Sequence, residues 1–204
     1  MIYLTSISHE LNLKFIMVPK SCTRSVLHHI GKHFNSRDVA KPYQPEPNIH
    51  TFAVVRNPWD RLVSCWKDKV MTNPELGNLD GLRHYTDFNE FVKAVHEKID
   101  VDLPFSQHPM KPEHMDVMCD RHLKSQNTLV PEDSNIQIIK QEQFDTDFIQ
   151  MLDKLDVQTD VDISKTLNST NHKRYTEYYT TETRDLVQQI YKDDITRFRY
   201  GFGN

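Results

Sequence analysis

Two short segments with the same layout most constrain what this chain can fold into. In each, a mainly apolar, strand-like run (residues 14–18 and 51–55) is followed by basic and hydroxyl residues and then by a helix-like pattern. Such apolar runs are typical of buried parallel strands, because helices cover both faces of their sheet. The order strand, helix, strand, helix therefore predicts an α/β fold with a partly parallel sheet and ligands at the carboxyl ends of its strands.

The residues that follow each apolar run are suited to bind anions. The lysine loop (residues 18–25) reads Val-Pro-Lys-Ser-Cys-Thr-Arg-Ser, and the arginine motif (residues 55–64) reads Val-Arg-Asn-Pro-Trp-Asp-Arg-Leu-Val-Ser. Backbone amides at a helix start bind anions, and Lys20 adds a full positive charge. Arg56 suits the paired oxygens of a phosphate, while Asn57 and Pro58 predict a capped helix start. Two such segments indicate a ligand with two separated anionic groups.

Charge and cysteine content exclude several classes of function. The net charge of −4 argues against a nucleic-acid binder, although residues 1–70, which hold both segments, carry ten Lys and Arg against five Asp and Glu. Cys22, Cys65 and Cys119 lack the spacing of a zinc site or a disulfide framework. The first twenty residues lack the apolar segment of a signal peptide or membrane anchor, so the sequence predicts a cytoplasmic protein without a membrane partner.

The rest of the chain predicts further helices and strands. Thr86 is expected to cap a helix with its apolar face on residues 88–99, and Thr180 or Thr181 to cap one that continues to residue 191. Residues 144–155 predict another helix. Residues 128–130 and 136–139 predict short strands, whereas residues 35–50, with three prolines, predict a loop.

The lysine loop lacks the sequence of the phosphate-binding loop (Walker A motif) of ATP- and GTP-binding proteins. The pattern GxxxxGK[ST] is absent, and no glycine lies between Pro19 and Ser25. A kinase of this fold class would need such a loop together with Mg²⁺, so an ATP or GTP site is disfavoured. A nucleotide kinase and a catalytically inert nucleotide-binding module stay open as alternatives at this point.

Taken together, the two segments resemble those of the PAPS-dependent sulfotransferases, particularly the carbohydrate (heparan and chondroitin type) branch with its bacterial and viral relatives. That family has a "PK-small-small-[ST]-S" loop and an "R-[DNE]-P-x-x-R-[LF]-[VL]-S" motif, and the arginine motif matches the latter at every position. Residues 138–148 and 173–200 resemble the family's later segments. The resemblance implies a P-loop-like, three-layer α/β fold with a central, mainly parallel sheet flanked by helices. It further implies one sulfotransferase domain over residues 1–204, with residues 71–125 as a helical insertion on the acceptor side.

The resemblance also implies roles for individual residues. In the family the first loop binds the 5′-phosphosulfate of 3′-phosphoadenosine-5′-phosphosulfate (PAPS), the second motif binds its 3′-phosphate, and a later basic loop closes over the nucleotide. Carried over to this chain, the first role falls on Lys20, Ser21, Cys22, Thr23, Arg24 and Ser25, the second on Arg56 and Ser64, and the third on Lys173 and Arg174. Cys22 stands where the family often has Gly or Ala, and Arg24 stands where it usually has Thr. Arg24 either clamps the sulfonate or points to solvent.

The implied reaction moves a sulfuryl group in line from PAPS to a hydroxyl of a carbohydrate or small-molecule acceptor and leaves 3′,5′-bisphosphoadenosine (PAP). Lys20 would neutralise the leaving phosphate oxygen, and no metal is required. A general base is needed, and His108 is the first choice because residues 105–113 resemble the family's "H-x-x-P-Q" segment. Glu113 and His114 are reserve candidates. The sequence carries no signal for an oligomeric state.

Overall fold

The computed structural model describes residues 2–72, 79–103, 121–157 and 173–204. Its described residues form five strands and seven α-helices. The strands are β1 (Ile2–Ser8), β2 (Leu13–Ile16), β3 (Ser36–Pro42), β4 (His50–Val55) and β5 (Gln137–Lys140). The helices are α1 (Thr23–Ile30), α2 (Pro58–Trp66), α3 (Phe88–Lys98), α4 (Gln126–Leu129), α5 (Phe144–Lys154), α6 (Thr181–Ile190) and α7 (Lys192–Phe198). A π-helical turn, Lys67–Thr72, continues α2.

The strands form one sheet in the order β3-β1-β2-β4-β5. Strand β2 pairs with β4 in parallel, with Phe15 opposite Phe52, and β4 pairs with β5 in parallel. Strand β1 runs antiparallel to both β2 and β3. The predicted α/β fold with a mainly parallel central sheet is thus confirmed, and β1 and β3 add an antiparallel edge to it.

Aromatic residues cover one face of the parallel strands. Phe15 and Phe52 stack at a centroid distance of 5.0 Å, and Phe148 of α5 contacts Phe52 at 5.9 Å. His29 of α1 contacts the same Phe148 ring at 6.1 Å, so α1 and α5 meet over this face. Burying a Phe side chain contributes roughly 1.5–3 kcal/mol, which makes this cluster a main source of the sheet's stability.

The residue contacts divide the chain into two compact units. The sheet unit comprises Met1–Arg56 and Leu129–Asn171, and the helical unit comprises Asn57–Thr128 and His172–Asn204. The helical unit has its own apolar core, which α2, α3 and α6 share with the stretch around Leu123. Trp66 lies in this core and donates its indole N–H to the carbonyl of Tyr85 at 3.1 Å. No helix in the described ranges has the length and apolar character that a bilayer crossing requires.

Three predictions about local structure are wrong. Residues 36–42 form β3 rather than loop, because they pair with β1, a strand that the sequence did not indicate. Residues 128 and 129 belong to α4 rather than to a strand, because a buried carboxylate, Asp194, binds the amides at the start of that helix. The cap of α3 is Asp87 rather than Thr86, since the Asp87 carboxylate accepts from the amides of Asn89 and Glu90.

Candidate functional site

The lysine loop joins β2 to α1 at the carboxyl end of the parallel strands. The amide of Ser21 donates to the carbonyl of Val18 at 3.3 Å, and the hydroxyl of Thr23 donates to the same carbonyl at 3.0 Å. These two bonds fold the loop into a tight turn. Because the Thr23 hydroxyl donates its proton within the loop, Thr23 has its backbone N–H as the remaining donor for an anion.

Two residues without glycine's freedom adopt left-handed backbone in this loop. Lys20 has φ 70°, and Cys22 has φ 50° with ψ 17°. A left-handed conformation costs roughly 1–2 kcal/mol for a residue with a Cβ atom. Left-handed residues in a turn direct neighbouring N–H groups to one side, as in anion-binding nests. Cys22 is also the N-cap of α1, but its side chain does not cap the backbone amides of the first turn, which has no acidic residue.

The Cys22 thiol is not a nucleophile in this setting. Burial raises the pKa of Cys22 to about 12, against the opposing charge of Arg56, and Asp145 and Glu142 raise it further. Nucleophilic cysteines are thiolates with lowered pKa values. Cys22 therefore serves the loop as a small, neutral side chain. The positive φ of Cys22 explains why glycine, which adopts such angles without penalty, is often found at this position in the family.

Arg56, directly after β4, contacts the lysine loop. Its Nη1 donates to the carbonyl of Lys20 at 3.1 Å. The contact follows from the sheet, since β2 and β4 are parallel neighbours whose carboxyl ends lie at the same edge. Lys20 and Arg56 are both half-buried, whereas Arg24 is exposed to solvent. The structure thus brings Lys20 and Arg56 together within the sheet unit.

The rest of the arginine motif begins the helical unit. Asn57 caps α2 as predicted, because its Oδ1 accepts from the amide of Trp59 at 3.1 Å, and Pro58 is the first helical residue. The Asn57 side chain is fully buried, and its Nδ2 donates to Tyr175 Oη, Gly201 O and Asn204 O. Asn57 therefore ties the start of α2 to the C-terminal residues, a role that its position before a proline did not indicate.

The other polar residues of the motif differ in exposure. Ser64 is half-buried on α2. Arg61, three residues before it, is only 2% exposed and donates to the backbone carbonyl of Lys124 at 2.7 Å. Arg61 and Ser64 are three positions apart on α2 and therefore share one face of that helix. The partner of the buried Arg61 side chain is thus a backbone carbonyl of the protein itself, which the sequence did not indicate.

The basic pair Lys173 and Arg174 is exposed and precedes a 3₁₀ turn, Tyr175–Tyr178. The amide of Arg174 donates to Glu177 Oε1 at 3.0 Å, which fixes the start of this turn. Tyr175 accepts from the amide of Gly203 at 2.7 Å. The candidate base His108 and its reserves Glu113 and His114 lie outside the described residues.

The described ranges contain no group of three or more His, Cys, Asp or Glu side chains that could hold a metal ion. Acidic groups near the lysine loop, Glu142 and Asp145, act on Cys22 through their charge alone. Lys20 and Arg56 are cations that the structure brings into contact at this edge of the sheet.

Comparison with known proteins decides the family. The family model described as "Sulfotransferase family" matches residues 7–201, nearly the whole chain. The chain belongs to the sulfotransferase family. Neither the curated proteins nor the solved structures yielded a match. The family is one of enzymes that transfer a sulfuryl group, generally from PAPS, to small-molecule or carbohydrate acceptors.

Proposed function

We propose that this sulfotransferase binds PAPS through both sequence segments, the lysine loop at the 5′-phosphosulfate and Arg56 with Ser64 at the 3′-phosphate. Ser21 to Ser25 would contribute through backbone amides and hydroxyls, and Lys173 and Arg174 would contact the nucleotide. The proposal rests chiefly on the bond from Arg56 Nη1 to Lys20 O, which joins the two segments at one sheet edge. The carboxyl edge of parallel strands is the usual ligand site of α/β proteins.

The proposed reaction is an in-line displacement at sulfur. The acceptor oxygen forms a bond to sulfur as the bond from sulfur to the bridging phosphate oxygen breaks, and the acceptor proton passes to a base. Negative charge then collects on the leaving 5′-phosphate of PAP. The Lys20 ammonium neutralises this charge, a form of stabilisation worth about 10²–10³ in rate when one such donor is lost.

The finer parts of the proposal concern the acceptor side. We assign the general base to His108 and the acceptor to a carbohydrate hydroxyl, within a single domain that spans both compact units. A positioned base contributes roughly 10²–10⁴ in rate. Replacement of His108 by Asn should lower PAP release from PAPS by that factor and leave PAP affinity unchanged. Unchanged turnover in this variant would instead favour Glu113 or His114 as the general base.

Calorimetry with PAP and with ATP–Mg²⁺ tests the donor. The proposal expects PAP to bind without added metal and ATP–Mg²⁺ to bind at least about tenfold more weakly, a difference of about 1.4 kcal/mol. Tighter binding of ATP–Mg²⁺ than of PAP would favour a nucleotide kinase.

An acceptor screen with sulfur-labelled PAPS then tests the transfer. Neutral and acidic oligosaccharides and simple phenols form the panel, and transferred label identifies the acceptor class. Label transfer to phenols alone would contradict a carbohydrate acceptor. PAP binding without transfer to any acceptor or to water would indicate an inert nucleotide-binding module.

A further inference from the structure

Arg56 makes a contact that binding of a phosphate does not by itself require. Its Nη1 donates to the backbone carbonyl of Lys20 at 3.1 Å, although the two residues are 36 positions apart in the chain. Both residues are half-buried, and both belong to the sheet unit. A hydrogen bond from the arginine motif to the backbone of the lysine indicates that Arg56 acts on the loop as well as on a ligand.

The backbone of Lys20 is in a conformation that needs support. Its φ of 70° lies in the left-handed region, which is unfavourable for a residue with a Cβ atom. Cys22 is left-handed as well, and no glycine lies between Pro19 and Ser25 to relieve the loop. Residues other than glycine persist in such conformations only where the surrounding structure holds them there.

The Lys20 carbonyl is held from outside the loop. Within the loop, the carbonyl of Val18 accepts from the amide of Ser21 and from the hydroxyl of Thr23, and these bonds close the turn locally. The bond to the Lys20 carbonyl comes instead from the residue that follows β4. Its donor is ionised, and such bonds are roughly twice as strong as those between neutral groups. Arg56 therefore restrains the peptide group that follows Lys20.

The sheet gives this restraint a rigid base. Strand β4 lies between its parallel neighbours β2 and β5, and residues 51–55 are buried. Since β2 leads into the lysine loop and β4 leads into Arg56, the parallel pairing sets the distance between the guanidinium and the carbonyl. A guanidinium has five N–H donors in a planar fork, so a bond to a carbonyl and a contact with a phosphate are compatible.

The position of the Lys20 ammonium depends on this backbone conformation. A rotation of φ out of the left-handed region would turn the Cα–Cβ bond and carry the ammonium away with it. A misplacement of about 1 Å at a reacting centre can lower the rate about 10²-fold. Loss of the restraint on the Lys20 peptide would therefore lower the rate even though the lysine itself is still present.

We propose that Arg56 is a positioning residue for Lys20, in addition to its contact with the 3′-phosphate. Its bond to the Lys20 carbonyl keeps the lysine left-handed, so the ammonium faces the 5′-phosphate whether or not the ligand has a 3′-phosphate. This inference rests on the proposed function, which assigns the leaving phosphate to Lys20. The ligand 5′-AMP separates the two roles of Arg56, because it has a 5′-phosphate and no 3′-phosphate.

The test is a double-mutant cycle of Lys20→Met and Arg56→Met with 5′-AMP as the ligand. Ligand-detected NMR measures the affinities, since it reaches millimolar Kd, and Lys154→Met, at an exposed position of α5, is the control. We expect Arg56→Met to bind 5′-AMP at least about fivefold more weakly than wild type, and Lys154→Met to bind it as wild type does. The double variant should bind 5′-AMP within about twofold of Lys20→Met, because Arg56 acts through Lys20.

Turnover of the same four proteins is the second readout, measured as PAP released from saturating PAPS with and without an acceptor from the screen. Arg56→Met should lower kcat at least about tenfold and also raise KM, whereas loss of a residue that only binds substrate raises KM at unchanged kcat. In the Lys20→Met background, Arg56→Met should leave kcat unchanged. If Arg56→Met does not fold, Arg56→Lys takes its place under the same criteria, because it keeps the charge and loses the planar fork.

Three results would overturn the inference. Wild-type affinity of Arg56→Met for 5′-AMP would show that Arg56 serves the 3′-phosphate alone, and an unchanged kcat would show the same. Losses that multiply in the double variant would show that Arg56 acts independently of Lys20, by its charge or through the whole loop. Failure of the proposed function is distinguishable, because wild-type protein would then bind neither PAP nor 5′-AMP.

Discussion

The lysine loop and the start of α2 hold their polar residues by opposite means. The lysine loop depends mainly on backbone conformation, since Lys20 and Cys22 are left-handed and the Cys22 side chain does not cap the amides of α1. The start of α2 depends instead on a buried side chain, since Asn57 donates hydrogen bonds to Tyr175, Gly201 and Asn204, which lie more than one hundred positions later in the chain. The comparison indicates that changes in the loop affect ligand binding, whereas changes at the start of α2 affect folding.

The largest effect is expected for Lys20→Met. Turnover of PAPS should fall about 10²–10³-fold because the leaving phosphate loses its charged partner. The melting temperature should barely change, since a half-buried lysine contributes little to stability. Lys154→Met, at the exposed end of α5, is the matched control and should change neither quantity. If Lys20→Met instead lost stability and kept its turnover, the lysine loop would serve folding and not ligand binding.

Asn57→Ala should lower stability by about 2–4 kcal/mol, because it removes a helix cap and leaves buried partners unsatisfied. Denaturant unfolding measures this loss. Asp87→Ala removes the exposed cap of α3 and should cost only about 1 kcal/mol. Equal losses in the two variants would show that the buried bonds of Asn57 add nothing to its cap.

Replacement of Cys22 tests the backbone strain of the lysine loop. Glycine accepts a positive φ without penalty, so Cys22→Gly should be about 1 kcal/mol more stable than Cys22→Ala. At an ordinary helical position the order is the reverse. Chemical denaturation of the two variants measures the difference, and an Ala variant at least as stable as the Gly variant would show that the loop is unstrained.

The smallest effect concerns His29, one turn into α1 from the lysine loop. Burial and the neighbouring His28 lower the pKa of His29, which is 3% exposed with Nδ1 unpartnered among the described residues. The unfolded chain therefore takes up a proton near pH 6.5 that the folded protein takes up only at lower pH. Stability is intact above pH 6.5 and decreases as the pH falls below it.

His29→Leu should remove that decrease and gain less than about 1 kcal/mol at pH 7.5, because an unsatisfied buried group is removed. Unfolding at pH 7.5, 6.5 and 5.5 measures this change, with His96→Gln, at an exposed position of α3, as the control. A wild-type profile that is parallel to that of His29→Leu would contradict the assignment.

The sequence predicted what short-range chemistry determines. Apolar runs identified β2 and β4, and Asn57 with Pro58 identified the start of α2, since a cap and its helix are adjacent in the chain. The same patterns led to Lys20 and Arg56, whose contact follows from two neighbouring parallel strands.

Distant partners explain what the sequence missed. The strand-like residues 128 and 129 are helical because Asp194, more than sixty positions later, binds the amides before them. Strand β3 forms because β1 offers it a pairing edge. The roles of Arg61 and Asn57 likewise depend on carbonyls far along the chain, which no local pattern reveals.

Binding of PAP and 5′-AMP to wild type, Lys20→Met and Ser64→Ala tests the central claim most directly, because only PAP carries the 3′-phosphate. The account predicts that wild type binds PAP at least about tenfold more tightly than 5′-AMP, about 1.4 kcal/mol. Ser64→Ala should reduce the ratio of PAP affinity to 5′-AMP affinity, and Lys20→Met should weaken the binding of both ligands. Equal affinity of wild type for PAP and 5′-AMP would contradict a nucleotide held at both of its phosphates.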